Sequence, residues 1–182
     1  MAEFQVRRAT LDDAAGIALV HVRSWQATYA GHVPQEALDE MDPVARTETV
    51  RRWLEPGRRG TTLVAVQPSG AVIGFANFGP CAQAVDDDSL GEVYAIYLHP
   101  DHLGTGAGYA LMTAALRELA TQGRHEVRLW VFSANERARR FYERVGFAVD
   151  GETSVFRLER GGNPPVELHE VRYVFDGRPA VA

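Results

Sequence analysis

Three glycines at alternate positions stand at the mouth of a predicted helix. Gly104, Gly106 and Gly108 follow a predicted strand that ends at Pro100, and they precede an apolar stretch that predicts a helix to about Gln122. The first N–H groups of a helix lack intrahelical acceptors, and with the helix dipole they favour an anion, usually a phosphate. Glycine allows close backbone approach and unusual φ values. We predict a phosphate site here; a tight turn without a ligand is the alternative.

Two common phosphate motifs do not fit this segment. A dinucleotide fingerprint that starts at Gly104 needs a glycine at position 109, which is Tyr109. A P-loop needs Gly-Lys followed by Ser or Thr, and the segment has no lysine. Neither a nicotinamide dinucleotide nor a nucleoside triphosphate is therefore the expected ligand.

The segment resembles the coenzyme A loop of the GNAT superfamily of N-acetyltransferases, whose pattern is Gln/Arg-x-x-Gly-x-Gly/Ala. Leu103 takes the Gln/Arg position, Gly106 that of the first glycine and Gly108 that of the last. The stretch YAIYLHPDH resembles the fourth strand of the family, and Leu129–Phe147 resembles its fifth strand and following helix. Val22–Leu38 is similar to the N-terminal helices of one bacterial branch. The resemblance covers almost the whole chain.

The loop departs from the family at two positions. Leu103 replaces the usual Gln or Arg, and Thr105 stands where many members carry Arg, so two side-chain donors are lost. Backbone amides survive such changes, so acetyl-CoA is still the expected co-substrate; His102 could supply polarity or be a solvated loop histidine. The resemblance implies that the cofactor is bound by Ile96, Tyr97, Leu98, Leu103, Gly104, Thr105, Gly106, Ala107, Gly108, Tyr109, Asn135, Ala138 and Tyr142.

Acyl transfer to an amine needs a base and an acid. An alkylamine with a pKa near 10 is protonated at neutral pH, and its deprotonation costs about 4 kcal/mol. A base removes this proton, and an acid protonates the departing thiolate. The resemblance implies that the pantetheine arm lies beside Ile96 and Leu98, that Tyr142 is the general acid, and that Glu92 occupies a position where several members hold the base. A packed aromatic and an edge-exposed glutamate are the alternatives.

Strand alternation puts Glu92, Tyr94 and Ile96 on one face, so Glu92 and Tyr94 are expected to line the acceptor side. Asn135 matches a family position that contacts the pantetheine or an active-site water, and a plain helix-start asparagine is the alternative. One inward stripe of the same helix is predicted to contain Ala138, Phe141, Tyr142 and Val145.

An aromatic stripe on the first helix is the candidate acceptor site. His21, Trp25 and Tyr29 are spaced at i, i+4 and i+8, and their polar tips are unusual for a dry core. Such rings suit an ammonium through cation–π contact, although a stripe of this kind can equally belong to the core. The acidic run Asp86–Ser89 is either a solvated loop or an attractor for a cationic substrate.

The elements that position these residues read β-α-α-β-β-β-α-β-α-β-β. Helix starts are predicted at capping boxes of Thr10 with Asp13 and of Ser133 with Glu136, and a linker is predicted at Gly161–Pro165. The fold class is α/β (α+β), with a GNAT-like mixed, mostly antiparallel sheet of about seven strands flanked by about four helices. We expect one domain over 1–182, with an acceptor side at 1–60, a cofactor core at 61–158 and a C-terminal strand at 166–175.

Composition limits the partners. The net charge is −5 and the arginines are scattered, so no nucleic acid is expected, and the basic patch Arg51–Arg59 is interpreted as a solvated helix end and loop. No apolar run approaches the ~20 residues of a membrane span, so no membrane partner is expected. Cys81 is the single cysteine, and the first residues carry charges where a signal peptide needs an apolar core, so we expect a cytoplasmic protein. The six histidines show no metal-ligand spacing, so no metal is predicted.

The sequence therefore predicts an acetyl-CoA-dependent N-acetyltransferase that acts directly on a primary amine of a small molecule. Acetylation of peptide or protein N-termini and a non-catalytic acyl-CoA-binding regulator are the alternatives. A homodimer is possible, and the C-terminal strand at 166–175 could form it.

Overall fold

One seven-stranded sheet, in the order β1-β2-β3-β4-β5-β7-β6, forms the centre of the molecule. The computed structural model describes residues 4–57, 60–84, 87–160 and 163–177. The strands are β1 (Gln5–Arg8), β2 (Thr61–Val66), β3 (Val72–Pro80), β4 (Leu90–Leu98), β5 (Glu126–Phe132), β6 (Ala148–Arg160) and β7 (Asn163–Phe175). The helices are α1 (Ala14–Thr28), α2 (Gln35–Asp39), α3 (Pro43–Leu54), α4 (Ala107–Thr121) and α5 (Glu136–Val145). Strands β4 and β5 run parallel, whereas the other strand pairs of the described chain are antiparallel. The predicted fold class is confirmed, with the short α2 as an addition.

Helices cover both faces of the sheet. Ile17 of α1 and Val50 of α3 pack with Phe75 of β3 on one face. Leu111 of α4 and Tyr142 of α5 belong to a larger apolar cluster on the other face. The sheet therefore separates an α1 face from an α4 face.

Local capping explains where two of the helices begin. The Asp13 carboxylate accepts the Thr10 N–H at 2.7 Å in the turn before α1, as the predicted capping box requires. The predicted box of Ser133 with Glu136 is wrong, because α5 begins at Glu136 and Asn135 is its N-cap, with its side chain accepting the Ala138 N–H. An asparagine nearer the helix start provides the acceptor that we assigned to Ser133.

The last two strands form a long hairpin. The expected linker Gly161–Pro165 is too long, since β7 already begins at Asn163 and Arg160 pairs with Asn163; Gly161 and Gly162 lie outside the described residues. Strand β7 lies between β5 and β6, so the predicted C-terminal strand is hydrogen-bonded on both sides. The exposed edge at this end of the sheet belongs to β6, and not to β7, the strand considered for a dimer contact.

Candidate active site

A cleft opens where β4 and β5 separate. The two strands pair only from Leu90 with Glu126 to Glu92 with Arg128, although β4 continues to Leu98 and β5 to Phe132. Beyond the last pair lies a cleft with a volume of about 1150 Å³, lined by α1, β4, the glycine loop, β5, α5 and β7. An open split between parallel strands leaves backbone donors and acceptors of β4 available to an extended ligand.

A bulge in β4 changes which residues share a face. Phe78 pairs with Val93 and Asn77 with Ala95, so Tyr94 is the extra residue. The expected grouping of Glu92, Tyr94 and Ile96 on one face is therefore wrong, because a bulge shifts the alternation by one residue. The α4 face carries Val93, Ile96 and Leu98, and the α1 face carries Glu92, Ala95 and Tyr97.

The glycine loop forms an open cradle of backbone donors. Gly104 and Gly106 have φ values of +80° and +90°, which other residues rarely adopt, and Gly106 is the N-cap of α4. Within the described chain the N–H groups of residues 104–109 meet no protein acceptor; the helix ladder begins when the Ala110 N–H donates to the Gly106 carbonyl at 3.0 Å. The loop borders the cleft, so these donors are placed for an anionic group there.

The third glycine serves packing. Gly108 lies inside α4, and a Cβ at this position would lie 3.2 Å from Leu98 Cδ1 and 3.7 Å from Phe141. The absence of a side chain therefore lets the first turn of α4 approach β4 and α5. The sequence alone suggests one shared role for the three glycines. In the structure, Gly104 and Gly106 provide the turn geometry, and Gly108 provides the close packing.

Side chains of the loop add little to the cradle. The Thr105 hydroxyl donates to the His102 carbonyl at 2.8 Å, and Thr105 and Ala107 do not line the cleft with their side chains. Leu103 does line it, and offers no hydrogen-bond donor from its side chain. The cations that line the cleft are instead Arg137 and Arg144 of α5, two residues that the motif comparison did not indicate.

Tyr142 borders the cleft from α5. Its side chain is buried, and burial together with nearby Tyr97 raises the pKa of its phenol above the ordinary value, so the hydroxyl stays protonated. Among the residues the structure describes, none hydrogen-bonds this hydroxyl. A protonated donor without a protein partner is available to a group in the cleft.

Asn135 holds two protein groups. Its side-chain oxygen accepts the Ala138 N–H at 3.1 Å, and its amide nitrogen lies 3.3 Å from the Tyr29 hydroxyl. The residue therefore caps α5 and connects it to α1 across the cleft. Both Asn135 and Ala138 line the cleft, and their contact with the cofactor stays a prediction.

Aromatic rings form the wall on the α1 face. Trp25 and Tyr29 line the cleft with their ring centroids 4.9 Å apart, and Phe132 of β5 lies 5.0 Å from Tyr29. Phe156 of β6 packs 5.6 Å from Phe132, and the Trp25 indole N–H donates to the Tyr97 hydroxyl at 3.1 Å. Phe132 and Phe156 were missed, because only the order of the strands brings them to α1.

His21 does not join this wall. It is 6% exposed and lies among aromatic rings beside Arg46, outside the set of residues that line the cleft. Burial, and then the charge of Arg46, lowers the pKa of His21 from 6.5 to about 3, so the imidazole is neutral. Residues spaced by four drift about 40° per step around a helix, so His21 and Tyr29 differ by about 80°. The predicted substrate role of His21 has no support in this placement.

Two carboxylates of the sheet line the cleft, in addition to Glu136 of α5. Glu92 accepts the Ala82 N–H at 2.8 Å, and the neighbouring Tyr94 hydroxyl donates to the Pro80 carbonyl. Glu170 of β7 is the second carboxylate, which no sequence motif indicated. Burial raises the pKa of the Glu170 carboxyl, and the charge of Glu92 raises it further.

The described part of the acidic loop and the single cysteine do not line the cleft. Asp86 and Arg58–Arg59 are outside the described residues, and Asp88 forms an ion pair with Arg124 at 3.4 Å. Cys81 is buried. In the part of the chain that the structure covers, no group of three or more His, Cys, Asp or Glu residues is arranged to hold a metal ion. None of the described helices is long and apolar enough to cross a membrane.

A sheet split beside an anion cradle is the architecture of an acyl-CoA-dependent transferase. The model of the Acetyltransferase (GNAT) family matches residues 21–147, and the chain belongs to this family. It is an acetyltransferase, and the resemblance noted in the glycine loop and in the stretch after β5 is confirmed.

The matches with relatives cover different shares of this chain and of the related proteins. The uncharacterized N-acetyltransferase YuaI of Bacillus subtilis (strain 168) is 35% identical over 130 residues, which are 71% of this chain and 72% of that protein. A mycothiol acetyltransferase of Streptomyces coelicolor is 32% identical over 148 residues; the match covers 81% of this chain but 43% of that protein. The crystal structure of the PaiA N-acetyltransferase of Thermoplasma acidophilum in complex with coenzyme A has a TM-score of 0.68 at 21% identity, covering 93% of this chain and 98% of that one. That structural likeness concerns the fold.

Proposed function

We propose that this acetyltransferase moves an acetyl group from acetyl-CoA directly to the primary amine of a small molecule. The observation that carries the proposal is the continuity of the cleft, which joins the open N–H cradle of residues 104–109 to a pocket of aromatic rings and carboxylates. One end suits a pyrophosphate and the other a cationic acceptor, and the thioester would lie between them.

The cofactor half uses backbone groups and the charges of α5. The pyrophosphate would accept hydrogen bonds from the cradle, where φ values near +80° and +90° at Gly104 and Gly106 hold the loop open. Arg137 and Arg144 line the same cleft and would supply the positive charge that Leu103 and Thr105 do not. The pantetheine arm would extend along β4 past Ile96 and Leu98, where the strand has no partner on the β5 side in the described chain.

Direct transfer removes two protons from the acceptor nitrogen and adds one to the sulfur. The ammonium of the acceptor loses one proton to a base, and its nitrogen attacks the thioester carbon. The C–S bond then breaks, the nitrogen loses a second proton, and the thiolate gains one. We assign the donation of that proton to Tyr142, and its protonated hydroxyl at the border of the cleft supports this role. One proton in total is released to solvent for each amide formed.

The acceptor half favours a small cationic amine. Trp25, Tyr29, Phe132 and Phe156 present rings to the cleft, and ring faces attract an ammonium. Glu92 and Glu170 make the same region acidic. These groups lie within a cleft that opens between α1 and the split sheet, which suits a compact acceptor better than a folded protein.

The first test is the release of free thiol from acetyl-CoA over a panel of acceptors. The panel contains polyamines, aminoglycosides, aromatic amines, amino acids, short peptides and, after the name of several relatives, desacetylated mycothiol. Strong release with one class of small amines would support the proposal. Release with peptides alone would overturn it in favour of N-terminal acetylation, and acetyl-CoA binding without release on any acceptor would favour a regulator.

A further inference from the structure

The sheet register places Glu170 in the part of the cleft beyond the last β4–β5 pair. Glu92 and Arg128 form the last β4–β5 pair, and Phe132 stands four residues further along β5. Phe132 pairs with Glu170 of β7, so β5 lies between Glu170 and the split, and Glu170 lines the same cleft as β4. Because Tyr94 is an extra residue in β4, Tyr97 lies at the level of Phe132, and Tyr97 is close enough to Glu170 for that charge to raise its pKa.

Glu170 points toward the α1 face. Directly opposed residues on antiparallel strands share a face, and Phe132 packs with Trp25 and Tyr29. Leu168, two residues before Glu170, belongs to the same cluster. The Glu170 carboxylate therefore enters the cleft among the rings of the acceptor pocket and not on the cofactor side.

No protein group in the described chain hydrogen-bonds or pairs with this carboxylate. It is half-buried, and its charged neighbour Glu92 has the same sign. By contrast, Glu92 already accepts the Ala82 N–H. A carboxylate that lines a cleft without a partner in the described chain is open to a donor or cation of a ligand, which makes Glu170 a candidate for contact with the acceptor.

We propose that Glu170, and not Glu92, receives the ammonium of the acceptor and removes its proton before attack on the thioester. This inference rests on the proposed function. The step is a simple transfer: the N–H bond of the ammonium breaks, the carboxylate oxygen gains the proton, and the free lone pair attacks the carbonyl carbon. Glu170 then releases the proton to solvent through the open cleft. Glu92 acts through Glu170, since its negative charge keeps Glu170 a stronger base.

The groups around Glu170 leave Glu92 as its main electrostatic partner. The charge of Glu170 acts on two phenols, those of Tyr29 at the end of α1 and Tyr97 of β4. Burial raises the pKa of both phenols, so they remain neutral at neutral pH. Its sheet neighbours Phe132 and Ser154 do not ionise in this range. The further ionisable residues that line the cleft are His32, Tyr94, Tyr109, Glu136, Arg137, Tyr142 and Arg144.

The test compares three single variants on the amine that releases thiol fastest in the panel. Glu170→Gln keeps the shape and removes the base; Glu92→Gln removes the neighbouring charge. Glu167→Gln is the matched control, because Glu167 lies on β7 outside the cleft and pairs with Arg157 at 2.9 Å. For each protein, kcat/KM is measured against pH, the Kd of acetyl-CoA by calorimetry, and Tm at neutral pH.

We expect Glu170→Gln to lower kcat/KM by about 100-fold or more, to lose the acidic limb of the pH profile and to leave the Kd of acetyl-CoA unchanged. Glu92→Gln should lower kcat/KM by less than about tenfold and move the acidic limb to lower pH, because the Glu170 pKa falls when the neighbouring charge is removed. Glu167→Gln should match the wild type. Since burial opposes the charge of Glu170, Glu170→Gln should also raise Tm, by about 1–3 °C.

Three results would overturn the inference. Glu170→Gln could keep the acidic limb with kcat/KM within about threefold of wild type, or Glu92→Gln could abolish that limb, which would make Glu92 the base. A lower Tm for Glu170→Gln would assign the residue to folding. A wild-type protein that acetylates no amine overturns the proposed function first and this inference with it, so the two failures are distinguishable.

Discussion

Because the imidazole of His21 is buried, we expect the free energy of unfolding to fall at acidic pH by an amount that its two pKa values give. In the folded protein its pKa is lowered from 6.5 to about 3, first by burial and then by the charge of Arg46. As the pH falls below about 6.5, His21 therefore binds a proton in the unfolded chain but not in the folded protein. A depressed pKa of this kind contributes stability that is fully present above pH 6.5 and is lost as the pH falls toward 3.

The magnitude follows from the two pKa values of His21. A pH of about 5 lies roughly 1.5 units below the pKa of His21 in the unfolded chain. Protonation of the unfolded chain therefore lowers the free energy of unfolding by about 2 kcal/mol, at 1.36 kcal/mol per unit. For a chain of 182 residues this loss corresponds to a fall in Tm of about 4–8 °C. The full shift, about 5 kcal/mol, would be reached only near pH 3.

The assay is urea unfolding of wild type and His21→Gln at neutral pH and at about pH 5. Glutamine keeps an oxygen that can accept the Arg46 guanidinium, which lies 3.4 Å from His21 Nε2, but it does not titrate. The wild type should lose about 2 kcal/mol more than the variant between the two pH values. His125→Gln, at an exposed histidine, is the control and should follow the wild type. Parallel pH dependence in wild type and His21→Gln would refute the reasoning.

Three further predictions concern single side chains. Tyr142→Phe should lower kcat about 100-fold and leave the Kd of acetyl-CoA within about twofold, as measured by steady-state kinetics and calorimetry; an unchanged kcat would remove its role as the acid. Gly106→Ala should cost about 1–2 kcal/mol of stability and weaken acetyl-CoA binding, because its φ is +90° at the start of α4; unchanged values in both measurements would contradict this. Asp13→Asn should lower the free energy of unfolding by about 1–3 kcal/mol, since the carboxylate accepts the Arg7 guanidinium at 2.7 and 2.9 Å; a loss no larger than that of Asp12→Asn would count against it.

The cofactor half of the cleft was predictable because its signals are local. The strand, the glycines and α4 are consecutive in the sequence, and the structure puts the loop where the motif implied. The same holds for α5, whose residues Asn135, Ala138 and Tyr142 follow β5 directly and all line the cleft. The error at Ser133 was small, because two polar residues near one helix start compete for the N-cap.

The acceptor half was predictable only in part: Trp25 and Tyr29 line the cleft as the helix pattern suggested, but distant strands supply other residues. Glu170 reaches the cleft only because β7 inserts between β5 and β6. The hydrophobic pattern of these two strands does not predict which of them pairs with β5. The bulge at Tyr94 reverses the faces of the residues after it, and simple alternation misses a one-residue shift. The helix stripe of His21, Trp25 and Tyr29 fails for a related reason, since its first member drifts toward α3.

The polar groups without a hydrogen-bond partner in the described chain include His21 Nδ1 and the Glu170 carboxylate, and these two differ in what they imply. His21 Nδ1 is buried without a hydrogen bond in the described chain, but it remains neutral and outside the cleft, so its cost is that of one unsatisfied atom. Glu170 differs, because it carries a charge, lines the cleft and faces a second carboxylate. A replacement by glutamine would relieve that repulsion at no cost in volume. A carboxylate that has no partner in the described chain and lies among the rings of the cleft is suited to a cationic ligand, and an ammonium is the group that would neutralise it.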